Sequence, residues 1–78
     1  MSVEERLRAI VRDHTGNSYL GVERDDLLAT GLGMDSYDLA SLLGKVEEAF
    51  DVDIPNRAIM EMVTVGDVVD YLKLHAQG

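Results

Sequence analysis

The chain has 78 residues, no cysteine, and 15 acidic against 7 basic side chains, for a formal charge of −8. A chain of that length makes one small domain, residues 1–78, which buries only about 60% of its unfolded surface and has no disulfide to support it. The acidic balance argues against nucleic acid as a partner and for association with basic surfaces. No apolar run approaches the roughly 18 residues that a membrane span needs, and the opening Met1-Ser2-Val3-Glu4-Glu5-Arg6 lacks the apolar stretch of a signal peptide. The expectation is a soluble, cytoplasmic monomer.

The first helix is signalled at both ends. Ser2 and Glu5 have the spacing of a capping box, in which each side chain satisfies a free first-turn group. Val3, Leu7, Ile10, Val11 and His14 then recur at helical spacing, and Gly16 is a suitable C-terminal cap. Residues 17–34 lose this periodicity. They hold Gly21, Gly31 and Gly33 and the apolar anchors Leu20, Val22, Leu27, Leu28 and Leu32. This reads as a long loop with one short helical turn near Asp25–Ala29; a loop this long in so small a domain is more often functional.

A second helix runs from Asp35 or Ser36 to Phe50. Asp35 caps it, Asp38 places a favourable charge in its first turn, and Leu39, Leu42, Leu43, Val46, Ala49 and Phe50 form its apolar stripe. Ile54-Pro55-Asn56 then breaks the chain, and a short helix follows over Asn56–Met62, since proline is tolerated at a helix start. Thr64 and Asp67 form a second capping pattern, with Asp where Glu or Gln is usual. Val65, Val68, Val69 and Leu72 define the last helix, ending near Leu74. Their i, i+3, i+4, i+7 spacing favours helix over the strand that β-branched residues would also allow. The fold class is therefore all-α: a four-helix bundle of three main helices and one short one, with a long loop between helices 1 and 2.

Ser36 is the residue that points to function. A glycine-rich approach, Gly33-Met34-Asp35, delivers one hydroxyl to a helix N-terminus between two carboxylates. No base lies near it in sequence; His14 and His75 are both distant. A serine displayed without a base is one that is modified by another protein. By itself Asp-Ser before a helix is only a capping pattern.

The wider context resembles the acyl carrier protein family. The matching stretches are Gly33-Met34-Asp35-Ser36-Tyr37-Asp38, then Glu47-Glu48-Ala49-Phe50-Asp51-Val52-Asp53-Ile54-Pro55, then Thr64-Val65-Gly66-Asp67-Val68-Val69-Asp70-Tyr71-Leu72. With the opening Val3-Glu4-Glu5-Arg6 they cover essentially the whole chain. The resemblance implies that Ser36 carries 4′-phosphopantetheine, transferred from coenzyme A by a phosphopantetheinyl transferase. It further implies that the arm's thiol holds acyl groups as thioesters for fatty-acid or related specialised lipid or polyketide synthesis. Asp35, Tyr37, Asp38, Glu47 and Glu48 match the family's recognition surface for acyl-transferring and acyl-modifying enzymes with basic docking patches. Ala40, Val46, Ile54, Ile59, Met62, Val63 and Val68 are candidates to line an expandable cleft for acyl chains, with Met60 and Met62 as adaptable fillers.

Ser41 stands where an acidic residue is usual in fatty-acid carriers, Lys45 adds a positive charge to the same helix, and the short helix Asn56–Met62 is less acidic than usual; a carrier dedicated to one pathway fits these departures from the family pattern at least as well as one serving general fatty-acid synthesis. The protein is then a carrier and not an enzyme, with no catalytic residues and no metal. Asp51-Val52-Asp53 begins like a calcium loop, but Pro55, Asn56 and Met62 occupy positions that such a loop needs for a ligand, a glycine and a bidentate carboxylate. His14 and His75 lack metal-ligand spacing. Two alternatives stay open: an aminoacyl or peptidyl carrier with the same arm, and an unmodified acidic interaction module in which Ser36 is a mere N-cap.

Overall fold

The chain winds through four helices, α1 (Val3–Thr15), α2 (Ser36–Phe50), α3 (Asn56–Glu61) and α4 (Val65–His75), in a computed structural model that describes residues 2–16 and 21–75. Leu20, expected as a loop anchor, lies outside the described residues. Each main helix starts or stops where local chemistry directs. Ser2 accepts the Glu5 N–H at 3.1 Å, and Gly16, in the left-handed conformation at φ +73°, returns its N–H to Arg12 and Asp13. The Glu5 carboxylate meets the Ser2 hydroxyl rather than its N–H, so the expected box is closed through the side chain. Asp51 ends α2 at φ +51°, its N–H returned to the Glu47 carbonyl, so the stretch that begins like a calcium loop is a helix terminus instead.

At α4 the reciprocal cap is complete. Thr64 Oγ1 accepts from Asp67 N–H, and Asp67 Oδ2 accepts from Thr64 N–H at 3.0 Å and Val63 N–H at 2.9 Å. These two backbone donors, more than anything else, hold the Asp67 carboxyl below its ordinary value. The β-branched residues are helical because Val65, Val68, Val69 and Leu72 make one buried stripe; burial along one face outweighs their modest propensity penalty.

α1 packs against both α2 and α4. Leu7 and Val11 meet Leu42, Leu43, Val46 and Phe50 of α2 and the α4 stripe, and each buried aliphatic side chain contributes about 1.5–3 kcal/mol. The long connection is tied to this core by Val22, Leu28 and Met34, all buried. Leu27 is not a buried anchor: it is 44% exposed and instead forms an isolated antiparallel bridge with Thr64. Residues 24–28 lie along 63–66 through Leu28 N–H to Val63 O, Val65 N–H to Asp26 O and Gly66 N–H to Arg24 O. The helical turn expected near Asp25–Ala29 is thus replaced by turns and this clasp, because pairing with the start of α4 satisfies the same backbone groups. Ala49, expected in the α2 stripe, is exposed, and its carbonyl accepts from Arg6 Nη2 at 2.7 Å. The third helix is one residue shorter than expected, with Met62 as its C-cap.

Candidate functional site

The approach to Ser36 is built one residue at a time. Gly33 adopts φ +68°, a backbone conformation that costs other L-residues roughly 1–2 kcal/mol, and so turns the chain. Met34 is buried and fixes the turn to the core. Asp35, in extended conformation, caps α2 by accepting the Asp38 N–H on Oδ1 at 2.8 Å. Ser36 is the first helical residue and is exposed.

Among the described residues nothing hydrogen-bonds to the Ser36 side chain, and the first-turn N–H groups of Ser36 and Tyr37 have no acceptor. An exposed hydroxyl beside free N–H groups at the positive end of a 15-residue helix suits a residue that is to bear an anionic phosphodiester. Asp35 and Asp38 oppose that charge locally, and Asp35 is occupied as a cap.

The remaining expected residues fall into groups. Tyr37 is 82% exposed, a large apolar side chain beside the hydroxyl. Glu48 is exposed, as are Ser41 and Lys45. Glu47 is different: it is half-buried, and its Oε2 accepts the Ile54 N–H at 2.9 Å, which pins the 51–55 connection to α2. That carboxylate is engaged inside the fold, a use its place in the sequence does not reveal.

Of the expected cleft residues, Val46, Ile54, Met62 and Val68 are buried and Ile59 borders them. Ala40 and Val63 correct the expectation. Ala40 is exposed, because it lies one helical turn beyond Ser36 and shares its outward face. Val63 is 57% exposed; its backbone is held on both sides, by Asp67 and by Leu28, and leaves the side chain outside. Met60 is 84% exposed and is no core filler.

One residue that sequence separation hid is His14. At the end of α1 it lines, with Thr15, Leu32, Gly33, Met34 and Asp38, a depression of about 320 Å³. Its Nδ1 is buried without a hydrogen-bond partner among the described residues. The helical spacing placed His14 on the inner stripe of α1, but only the packing of α1 against the chain entering α2 brings it beside the neighbours of Ser36. His75 is exposed and stacks on Tyr71, ring centroids 4.2 Å apart. Among the described residues no three His, Asp or Glu side chains are grouped to hold a metal ion, and no helix is long and apolar enough to cross a membrane.

Residues 5–72 match the family profile of the phosphopantetheine attachment site. Over 75 residues the chain is 32% identical to an acyl carrier protein of Clostridium acetobutylicum, covering 96% of this chain and 97% of that one. The fold is similar to a solved structure described as a candidate acyl carrier protein of Mycobacterium tuberculosis, with a TM-score of 0.88, 29% identity, and coverage of 94% of this chain and 97% of the other. Proteins of this family bear a 4′-phosphopantetheine group, and they interact with the transferase that installs it and with acyl-handling enzymes. The four-helix architecture and these matches lead to one conclusion: the chain belongs to the acyl carrier protein family, whose members are phosphopantetheine-bearing carriers and not catalysts.

Proposed function

We propose that Ser36 is the attachment residue and that the whole chain works as one carrier domain for acyl intermediates of fatty-acid or related specialised lipid or polyketide synthesis. The observation that carries this reading is the Ser36 hydroxyl itself: exposed, without a hydrogen-bond partner among the described residues, and set at the start of α2 by Gly33, Met34 and Asp35. When bound, the arm supplies a terminal thiol that holds an acyl group as a thioester. The chain's own residues supply the rest. Asp35 fixes the first turn of α2, the free N–H groups of Ser36 and Tyr37 face negative charge favourably, and among the described residues no group in hydrogen-bond contact with Ser36 activates it. The nucleophile therefore stays inert until a transferase acts on it.

Asp35, Tyr37, Asp38 and Glu48 form the recognition surface in this reading, with Tyr37 as its apolar anchor. Lys45, exposed on the same helix, interrupts the negative field and fits a partner set narrower than that of a general fatty-acid carrier. Val46, Ile54, Ile59, Met62 and Val68 lie where an acyl chain entering the bundle would part the core.

The test is intact mass after incubation with coenzyme A and a broad-specificity phosphopantetheinyl transferase. Wild type gains one phosphopantetheinyl increment and Ser36→Ala gains none, while both give the same helical circular dichroism. An increment on Ser36→Ala would move the site elsewhere. Acyl or aminoacyl groups released by thioester cleavage from protein isolated from its source then identify the cargo.

A further inference from the structure

We propose that the depression between the end of α1 and the start of α2 is a docking site for the proximal, pantoyl part of the arm, with His14 as its hydrogen-bonding group. The inference rests on Ser36 as the attachment residue.

Reach comes first. Met34 and Asp38 both line the depression, and each is two residues from Ser36, so each Cα lies within about 7 Å of the Ser36 Cα. An arm on Ser36 therefore starts within two residues of the rim of this depression. Its chemistry is divided in the way the pantoyl unit is divided. Leu32 and Met34 offer an apolar wall for the geminal methyl groups. His14, Thr15 and Asp38 offer polar atoms for the hydroxyl and the adjacent amide. Asp38 is an acceptor that would repel a phosphate, so the phosphodiester belongs on the other side, at the free N–H groups of Ser36 and Tyr37. The carboxylate can take the hydroxyl or amide proton.

The second observation is His14 Nδ1, buried and without a hydrogen-bond partner among the described residues. Buried polar atoms in native proteins are nearly always paired, and an orphan calls for an explanation. His14 also lines the depression, and a donor or acceptor bound there can give this nitrogen the partner it lacks among the described residues. Gly33 keeps the approach open: a Cβ built on it would meet nothing within 4 Å.

The test is an isotope-filtered nuclear Overhauser experiment on carbon-13-labelled protein bearing an unlabelled arm. The expected result is contacts from the pantoyl methyl protons to the side-chain methyls of Met34 and Leu32, together with a shift of the His14 ring protons between the arm-free and arm-bearing forms. Thr15→Phe fills the depression from an exposed helix end and should abolish those contacts while still accepting the arm. His14→Phe keeps the ring but removes both nitrogens and should weaken them. Pantoyl contacts to Ile59 or Met60 on α3 instead, no contacts at all, or contacts unchanged in Thr15→Phe would overturn the proposal. Fragment masses from the same samples locate the arm. An arm away from Ser36 overturns the attachment reading and this inference together, and an arm on Ser36 without the contacts overturns the inference alone.

Discussion

Asp67 shows how much one side chain can hold. Its Oδ2 takes two backbone N–H groups, from Val63 and Thr64, and its own N–H is taken by Thr64 Oγ1. The folded carboxyl is therefore lowered in pKa, chiefly by the Val63 and Thr64 donors. A lowered folded pKa stabilises the fold above the carboxylate's unfolded value, near 4, and that contribution fades as pH falls through the folded value. Asp67→Ala should cost about 1 kcal/mol at neutral pH, as loss of a helix cap typically does. The difference from wild type should shrink as pH falls below 4, which urea melts at pH 7 and pH 3 would check. A gap that stayed constant with pH would mean that the carboxylate is not the stabilising species.

At the scale of elements, two helical glycines make opposite predictions. A Cβ on Gly44, inside α2, meets nothing within 4 Å. Gly44→Ala should gain roughly 0.5–1 kcal/mol from the conformational freedom that glycine loses in a helix. Gly66, in the first turn of α4, faces the clasp. A Cβ there would stand 3.2 Å from the Arg24 carbonyl oxygen, which its own N–H already holds at 2.9 Å. Gly66→Ala carries the same helical advantage, yet the pinned carbonyl cannot retreat, so the net effect should be destabilising. Denaturation midpoints of the two variants, one above and one below wild type, are the check. Glu47 makes a related point about helices and their surroundings: it sits among surface carboxylates in the sequence, but the 51–55 connection captures it through Ile54.

Across the whole molecule the balance of charge outweighs the individual pairs. Glu4 gathers Lys73 at 3.1 Å, Arg8 at 3.9 Å and Arg24 at 4.0 Å, and Arg24 also meets Asp70 at 3.1 Å. Lys73 in particular holds Glu4 below the ordinary carboxylate range. These side chains are solvated, and such pairs are worth little, whereas a net charge of −8 on 78 residues produces general self-repulsion. Raising the ionic strength from about 10 mM, where the Debye length is about 30 Å, to about 0.15 M, where it is about 8 Å, should therefore raise Tm. A fall in Tm would show that the Glu4 network outweighs the repulsion.

The helices, their caps and most of the core follow from the sequence alone, because each is a local pattern. Ser2, Asp35 and Thr64 precede apolar stripes of helical period, and periodicity decides which face is buried. The placing of Ser36 at the start of α2 is legible for the same reason, since glycine, cap and exposed hydroxyl are adjacent. What only the tertiary structure decided are the relations between residues far apart in the chain. Those include the clasp of residues 24–28 on 63–66, the capture of Glu47 by Ile54, the exposure of Ala40, Ala49 and Val63, and the depression that His14 and Asp38 both line. These depend on how helices and loops settle against one another, where backbone groups seek whichever partner packing brings near, and no local pattern encodes that choice.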